Sequence, residues 1–311
     1  MKIIFMGTPD FSVPTLKTLI GSEHELIAVV TQQDKPKGRG NKLSHTPVKE
    51  VALEYNIPVF QPKKVREAEF IQLLTELQPD VIVVIAFGQI LPKALLEIPK
   101  FGCINVHASL LPKYRGAGPI QWSVMNGEKE TGLTTMFMDI GLDTGDMLLK
   151  EAIEIDKDET GGSLHDKLSI LGGPLLIRTL KQLEEGSITR ICQDHQAASY
   201  APMLSKELGK INWNNSAIEI ERLIRGLNPW PSAYTYYEDK MLKIWKAELV
   251  TVNDNTIKAG TIIDIVKNEG FIIKCNENAL FIKELQLQGK NKMDAASFLR
   301  GVTLNVGYNF N

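Results

Sequence analysis

Residues 105–120 read Asn-Val-His-Ala-Ser-Leu-Leu-Pro-Lys-Tyr-Arg-Gly-Ala-Gly-Pro-Ile, and a short apolar segment leads into them. The apolar residues Phe101–Val106 predict a buried strand, and Pro112 with the glycines beyond it predicts a loop at the end of that strand. Because side chains alternate between the two faces of a strand, Asn105 and His107 point the same way. Ligands of open α/β sheets bind where strands meet loops. This stretch therefore predicts a strand of such a sheet with a candidate site at its end.

Other short apolar segments, rich in β-branched residues, are typical of strands buried on both faces of a sheet. They are Ile3–Met6, Leu26–Thr31, Val81–Phe87 and Thr134–Met138. Helical patterns alternate with or follow them at Phe11–Ile20, Pro47–Tyr55, Glu67–Leu77, Ile120–Met125 and Ser163–Leu183. The alternation predicts an α/β fold with a Rossmann-like doubly wound sheet.

Two glycine-containing segments qualify this prediction. The first strand-to-helix turn, Gly7–Asp10, lacks the G-x-G-x-x-G pattern of dinucleotide-binding proteins, so we expect no nicotinamide cofactor. The segment Gly172-Gly173-Pro174 falls inside the last helical pattern and predicts either a kinked helix or two helices.

The pattern changes in the last third of the chain, where strands follow one another without long helices between them. Predicted strands cover Leu242–Val250, Thr261–Val266, Phe271–Cys275 and Leu280–Leu287, after a helix at Ile218–Ile224. Short strands separated by turn-forming residues are typical of a small barrel. We therefore predict a catalytic domain over residues 1–200, a linker over 201–207 and a smaller β-barrel domain over 208–311.

The composition bounds the class of protein. A length of 311 residues with 43% hydrophobic residues is enough for two domains with separate cores. The formal net charge of −2 argues against binding of nucleic acid by bulk attraction, so an RNA partner would need a local basic patch. Cys103, Cys192 and Cys275 are widely spaced and predict reduced thiols of a cytoplasmic protein, not disulfides or a zinc site. Neither a signal peptide nor a membrane-spanning segment is expected.

A second polar segment, residues 138–146, contains Asp143 followed by Thr-Gly. With Asn105 and His107 it forms a set suited to acyl transfer, because amide and imidazole N–H groups can hold the oxyanion of a tetrahedral intermediate. A carboxylate can orient the imidazole and favour its protonated form. The alternative is structural: Asn105 and His107 as satisfied hydrogen-bonding residues, and Asp143 as a turn former.

Several separated motifs resemble the formyltransferases that use 10-formyltetrahydrofolate. They are Asn105-x-His107, Ser109-Leu110-Leu111-Pro112, Tyr114-Arg115-Gly116 and Asp143-Thr144-Gly145. The opening Phe5-Met6-Gly7-Thr8-Pro9-Asp10-Phe11 narrows the resemblance to the branch of the family that acts on methionyl-tRNA. The resemblance covers nearly the whole chain, including residues 31–40, 200–202 and 228–231. It implies an OB-like C-terminal domain.

The resemblance also implies the roles of individual residues. The catalytic residues would be Asn105, His107 and Asp143, acting without a metal. A pocket for the co-substrate 10-formyltetrahydrofolate would be lined by Phe87, Gly88, Gln89, Ile90, Leu91, Ser109, Leu110, Leu111, Pro112, Asp139 and Gly141. From the residues themselves, Leu110 and Leu111 beside Pro112 predict an apolar wall for a flat ligand. Whether the Leu111-Pro112 bond is cis or trans stays open.

A basic segment follows the second predicted strand, with Lys35, Lys37, Arg39 and Lys42 and a single acid at Asp34. A charge run is most often a solvated loop. The resemblance implies that this segment binds the acceptor stem of initiator tRNA, with Arg39 wedged against its first base pair.

The expected activity is transfer of the formyl group to the α-amino group of methionine on initiator tRNA, by a protein expected to be a monomer. The nearest alternative is an amino-sugar nucleotide N-formyltransferase, which would share the Asn-His-Asp chemistry but has no need of the basic segment. An alternative from another class is a noncatalytic nucleotide- or RNA-binding protein with the same fold.

Overall fold

The computed structural model describes residues 1–37, 42–254 and 256–310. The chain divides into two compact units. The first comprises Met1–Pro119, Glu130–Glu154 and His165–Ala201, and the second comprises Ile120–Lys129, Ile155–Leu164 and Pro202–Asn311. The second unit thus takes in two segments that lie within residues 1–200. The predicted boundaries at residues 200 and 207 stay a prediction.

The strands, in chain order, are β1 (Lys2–Gly7), β2 (Glu25–Val30), β3 (Lys35–Lys37), β4 (Lys42–Ser44), β5 (Val59–Phe60), β6 (Val81–Ile85), β7 (Cys103–His107), β8 (Arg115–Gly116), β9 (Glu130–Phe137), β10 (Met147–Glu154), β11 (Tyr200–Ala201), β12 (Ala233–Tyr237), β13 (Lys240–Val250), β14 (Ile262–Val266), β15 (Gly270–Lys274), β16 (Ala279–Leu287) and β17 (Met293–Asp294). The α-helices are α1 (Val13–Ile20), α2 (Pro47–Glu54), α3 (Ala68–Leu77), α4 (Lys93–Leu96), α5 (Pro119–Met125), α6 (Gly161–Glu184), α7 (Ala217–Gly226) and α8 (Ala295–Gly301).

The main sheet of the first unit has the order β10-β9-β7-β6-β1-β2-β5. Strands β5, β2, β1, β6 and β7 are parallel, whereas β9 pairs antiparallel with β7 and β10 antiparallel with β9. From β1 the chain moves to β2 and β5 on one side and then returns to β6 on the other. The strand order therefore reverses between β1 and β6. The predicted Rossmann-like α/β fold is confirmed.

The apolar runs that predicted the central strands form its core. All five residues of β6 are buried, as are Ile3–Gly7 of β1. One face of the sheet packs with Phe70 and Leu74 of α3. Strands covered on both faces in this way have no polar alternation, which is why they read as continuous apolar runs.

Helix α6 continues unbroken through Gly172-Gly173-Pro174, so this pattern forms one helix and not two. The glycines are explained by contact with α1. A β-carbon at Gly172 would lie 2.6 Å from the Thr15 Oγ1 atom, and one at Gly173 would lie 2.3 Å from the Thr18 Oγ1 atom. The absence of side chains at these two positions therefore lets the helices approach closely.

The second unit contains an antiparallel sheet of order β12-β13-β16-β15-β14, with β17 paired to β16. Its core packs α7 and α8 against the sheet and includes Trp213, Phe271, Phe298 and Phe310. The antiparallel β-domain predicted for the last third is confirmed. Strand β12 and helix α8 were absent from the predicted elements. Within the part of the chain that the structure describes, no helix is both long and apolar enough to cross a bilayer.

We expect Gly173→Ala to lower the free energy of unfolding by about 1–3 kcal/mol, because the added methyl group overpacks the contact between α6 and Thr18. Thermal unfolding measured by circular dichroism checks this. Gly21→Ala is the control, since its β-carbon would lie no closer than 3.6 Å to any neighbouring atom. An unchanged unfolding midpoint for Gly173→Ala would show that the helices separate without cost.

Candidate active site

Three predicted side chains meet at β7. Asn105 and His107 lie on β7, and Asp143 lies on the loop between β9 and β10. The Asn105 Nδ2 atom donates to the Asp143 Oδ1 atom at 3.4 Å, and the His107 Nδ1 atom lies 3.7 Å from Asp143 Oδ2. The side chains of His107 and Asp143 are 6% and 14% exposed. The structure thus brings an amide, an imidazole and a carboxylate into one largely buried cluster.

The two ring nitrogens of His107 have different surroundings. The Nε2 atom lies 2.9 Å from the Tyr114 carbonyl oxygen, which can only accept, so Nε2 carries a proton and donates. The Nδ1 atom faces the Asp143 carboxylate at a distance longer than a direct hydrogen bond. The two ring nitrogens thus have different neighbours, a carbonyl oxygen at Nε2 and a carboxylate at Nδ1.

Asp143 has an unusual backbone conformation, with φ of 52°. A non-glycine residue in this region costs on the order of 1–3 kcal/mol and persists only where its surroundings hold it. One such contact is the Gly116 N–H group, which donates to the Asp143 Oδ2 atom at 2.8 Å. Gly116 itself has φ of 112°, and a β-carbon there would lie 2.7 Å from the Ala201 carbonyl oxygen. Only glycine fits this position of β8, which explains the Gly of the Tyr114-Arg115-Gly116 motif.

Two further buried residues support this cluster, Gln193 by direct contact with Asp143 and Arg115 through Gln193, although the sequence gave them no role. Gln193 is 4% exposed and donates from its Nε2 atom to the carbonyl oxygens of Asp143 and Gly145 at 2.9 and 2.7 Å. Arg115 is 2% exposed and donates to the Gln193 Oε1 atom. Arg115 belongs to the Tyr114-Arg115-Gly116 motif, whereas Gln193 lies in an irregular segment whose sequence has no pattern that predicts a role for it.

The segment Ser109–Pro112 is held in place by hydrogen bonds to Lys113 and Thr134. The Ser109 hydroxyl donates to the Lys113 carbonyl oxygen at 2.6 Å, and Thr134 of β9 bridges the Ser109 carbonyl and the Leu111 N–H group. The Leu111-Pro112 bond is cis. The Leu111 side chain is fully buried and packs with Met136 and Met147, so it belongs to the core and not to an open apolar wall. Leu110 and Pro112 are half-buried.

The segment Phe87–Leu91 alternates buried and exposed residues after β6. Phe87 and Leu91 are in the core, and the Gln89 Oε1 atom accepts from the Val65 N–H group at 3.0 Å. Gly88 is exposed with φ of 85°, and Ile90 is 84% exposed. These two positions are therefore the ones open to a ligand.

The loop 138–144 also exposes apolar side chains, at Ile140 and Leu142. Its start packs against the core, where Met138 contacts the cluster that contains Phe87 and Leu91. The Asp139 carboxylate is used inside the loop, since its Oδ1 atom accepts from the Gly141 N–H group and the Thr144 hydroxyl. Asp139 and Gly141 thus shape the turn that carries Asp143.

A cleft of about 380 Å³ lies beyond the carboxyl ends of β1, β2 and β6. It is lined by Thr8, Pro9, Gln32, Gln33, Lys35, Pro36, Ser44, His45, Thr46, Pro47, Ala86, Phe87 and Gly88. The strand order reverses between β1 and β6, and ligands of open α/β sheets bind outside the strand ends at such a point. The cleft contains none of the predicted catalytic residues.

The predicted basic loop begins as a two-stranded ribbon in which β3 pairs antiparallel with β4. Lys35 is exposed, the backbone of Lys37 pairs with that of Lys42, and Arg39 lies outside the described residues. At the base of the ribbon, the Asp34 Oδ2 atom lies 2.7 Å from Lys49 Nζ and 2.8 Å from His45 Nδ1. The Gln61 amide bonds both to Asp34 and to the Gln32 carbonyl oxygen.

This network has an electrostatic consequence. The hydrogen bond from the Lys49 ammonium, with others from Gln61 and His45, holds the pKa of the Asp34 carboxyl well below its ordinary value. Asp34, the single acid of the basic segment, therefore anchors the ribbon to α2.

Among the residues that the structure describes, no group of His, Cys, Asp and Glu side chains has the arrangement of a metal site.

The fold and the site define a formyl transferase. The family model described as formyl transferase matches residues 1–180, and the one described as formyl transferase, C-terminal domain, matches residues 203–303. The chain belongs to this family. It is similar to the methionyl-tRNA formyltransferase of Alkaliphilus oremlandii, with 54% identity over 99% of this chain and 98% of the relative. It is 53% identical to the methionyl-tRNA formyltransferase of Clostridioides difficile, over 99% of both chains.

Solved structures share the fold at lower identity. The sugar 3N-formyl transferase WlaRD, solved in the presence of dTDP and 5-N-formyl-THF, has a TM-score of 0.68 and 22% identity over 94% of this chain and 99% of that one. HypX from Aquifex aeolicus, in complex with tetrahydrofolic acid, has a TM-score of 0.63 and 17% identity over 96% of this chain and 47% of that one. The fold of the chain is thus one that holds folates in other proteins.

We expect Asp34→Asn to destabilise the protein at neutral pH and to have a progressively smaller effect in acid. A carboxyl whose pKa is lowered in the folded state contributes stability above its unfolded pKa of about 3.9, and that stability is lost as the pH falls through the lower folded value. Urea unfolding of both proteins between pH 7 and pH 2 checks this, with the exposed Asp158→Asn as the control. A stability difference that does not narrow in acid would show that the charge of Asp34 is not its contribution.

Proposed function

We propose that the chain transfers the formyl group of 10-formyltetrahydrofolate to the α-amino group of methionine on initiator tRNA. The observation that carries the proposal is the cluster of Asn105, His107 and Asp143 at β7. It lies in a chain that is 54% identical, over nearly its whole length, to a protein named methionyl-tRNA formyltransferase.

The cluster suits each step of this transfer. The amine nitrogen bonds to the formyl carbon, and the carbonyl electron pair moves to oxygen, where the Asn105 amide and a protonated His107 Nδ1 stabilise the charge. The carbon–N10 bond then breaks, and the oxyanion re-forms the carbonyl. The incoming amine loses one proton and N10 gains one, and Asp143 stabilises the imidazolium that carries this proton between them.

The proposed folate site uses backbone and apolar surface. Gly88 and Ile90 are exposed after β6, and Ile140 and Leu142 are exposed on the loop that carries Asp143. Exposed apolar side chains suit the faces of a flat ring system. Phe87, Leu91 and Leu111 would support this site from the core instead of contacting the ligand.

In this proposal the acceptor end of tRNA enters at the cleft beyond the carboxyl ends of β1, β2 and β6. The ribbon of β3 and β4 forms one wall of that cleft through Lys35, Pro36 and Ser44. A basic ribbon beside a strand-end cleft can hold the phosphates of a 3′ strand while its last nucleotide enters. An amino-sugar nucleotide would need no such ribbon, and the sugar formyltransferase WlaRD is only 22% identical.

The second unit offers a further surface for RNA. In the second unit, the Lys243 Nζ atom lies 5.6 Å from the centre of the Trp245 ring, and the Lys292 Nζ atom lies 5.7 Å from it. Lys292 is paired with Glu284. Aromatic rings interleaved with lysines are suited to nucleic-acid contact. We infer that this face, not the near-neutral unit as a whole, meets the tRNA, and that the protein acts as a cytoplasmic monomer.

We expect Asn105→Ala and His107→Ala each to slow formyl transfer by about 100- to 1,000-fold, because a donor to the oxyanion is lost. Single-turnover rates with 10-formyltetrahydrofolate and methionyl-tRNA check the chemical step. Folate affinity, measured by calorimetry, is expected to be unchanged, since the lost contact forms in the transition state. Normal single-turnover rates would refute the oxyanion role.

We expect Lys35→Ala, Lys37→Ala and Lys42→Ala to weaken tRNA binding and to flatten its dependence on salt, each lost phosphate contact lowering the slope by about 0.7–0.9. Filter binding over a range of salt concentrations measures this. Lys93→Ala is the control, because Lys93 is an exposed lysine on α4 near Glu97.

Arg39→Ala is expected to reduce turnover on tRNA at every salt concentration. Variants that bind and formylate tRNA normally would show that the basic segment is a solvated loop without a part in tRNA binding.

A further inference from the structure

Arg115 and Gln193 are buried polar side chains that take no direct part in the proposed chemistry. Arg115 lies in β8, and Gln193 lies in the irregular segment after α6. A charged group and an amide out of contact with water are tolerated only when their hydrogen bonds are made, so their partners define what they do.

Their hydrogen bonds form a chain of donors and acceptors from the Arg115 guanidinium, through the Gln193 amide, to the main chain of the loop that carries Asp143. The Gln193 Oε1 atom accepts from Arg115 Nε at 3.0 Å and from Arg115 Nη2 at 2.7 Å. The Gln193 Nε2 atom donates to the carbonyl oxygens of Asp143 and Gly145. A guanidinium only donates and a backbone carbonyl only accepts, so the Gln193 amide has one possible orientation. His195 Nδ1 lies 3.3 Å from both terminal nitrogens of Arg115 and accepts from the guanidinium.

The two residues of β8 therefore act on different groups of Asp143, its main-chain carbonyl and its side-chain carboxylate. The Arg115 side chain acts through Gln193 on the Asp143 carbonyl oxygen, and the Gly116 N–H group bonds the Asp143 carboxylate directly. Asp143 needs this support, because a non-glycine residue with φ of 52° persists only where its surroundings over-determine it.

We propose that Gln193 and Arg115 are positioning residues that hold Asp143 in its left-handed conformation, so that its carboxylate faces Asn105 and His107. The proposal rests on the formyl-transfer function proposed above. Arg115 orients the amide of Gln193, and Gln193 fixes the main chain of Asp143. Neither residue touches the reacting atoms.

The test variant is Gln193→Met, which keeps the approximate length of the side chain and removes both sets of hydrogen bonds. Its control is Gln196→Met, three residues further along the same segment and exposed. We expect the single-turnover rate of Gln193→Met to fall by up to about 100-fold, because small displacements of a catalytic group have effects of this size. KM for both substrates should change by less than about twofold, since binding is not the affected step.

A double-mutant cycle separates positioning from general damage. In an Asp143→Ala background, Gln193→Met should cause no further loss, because Gln193 acts only through Asp143. A loss of equal size in both backgrounds would overturn the proposal, as it would show that Gln193 serves another part of the enzyme.

A second readout does not depend on activity. The Gly116 amide proton is held by the Asp143 Oδ2 atom, so its hydrogen exchange, followed by NMR, reports the position of the carboxylate. Exchange should be faster in Gln193→Met and unchanged in Gln196→Met. Unchanged exchange in the folded Gln193→Met protein would overturn the proposal. If the wild-type protein does not formylate methionyl-tRNA, the proposed function fails, and the exchange measurement still decides the role of Gln193.

Gln193→Glu provides a second variant in case the Met variant does not fold. It keeps the contact with Arg115 but places a carboxylate oxygen against the carbonyl oxygens of Asp143 and Gly145, where the Nε2 donor stood. We expect the same loss of rate and the same faster exchange at Gly116. A Gln193→Glu enzyme with wild-type rate and exchange would overturn the proposal.

Discussion

The pairing of β7 with an antiparallel β9 is the constraint on which the candidate site depends. The loop after β9 starts at Met138, whose N–H group donates to the Cys103 carbonyl oxygen at 2.8 Å, and it ends where the Asp146 carbonyl accepts from Phe137 at 2.9 Å. Both ends of the loop are thus fixed to the sheet. Without the change of strand direction after β7, the loop that carries Asp143 would start elsewhere, and its carboxylate would not reach Asn105 and His107.

Buried polar groups help to hold the loops around this site. Thr134 holds the segment after β7, and Gln193 with Arg115 holds the loop after β9. A buried hydrogen bond is directional, and leaving one partner unsatisfied costs about 1–3 kcal/mol. Such contacts set the orientation of a loop more tightly than an apolar contact of similar area. The fixed geometry of the site is the expected result.

Much of the fold was predictable because strands buried on both faces are apolar throughout and helices between them are amphipathic. The meeting of Asn105, His107 and Asp143 was predictable because the first two share one strand face and Asp143 belongs to a motif of the family. Gln193 was not, since it lies 50 residues from Asp143 in a segment without periodicity. The glycines within α6 are explained by the close approach of α1, and Leu111 is buried against Met136 of β9 and Met147 of β10. These are tertiary effects that no local pattern reports.

On the proposed function, the chemistry and the choice of acceptor reside in different parts of the first unit. The cluster on β7 and the loop after β9 would formylate any correctly placed amine, whereas the cleft and the basic ribbon lie at β1 and β2. Strand β6 stands between them, and the Phe87 carbonyl after it accepts from Thr8 Oγ1 at 2.9 Å and from Gln32 Nε2 at 3.2 Å. On the proposed function, the short segment after β6 has folate on one side and the acceptor on the other. A ribbon anchored separately through Asp34 can then differ between family members with different acceptors while Asn105, His107 and Asp143 keep their arrangement.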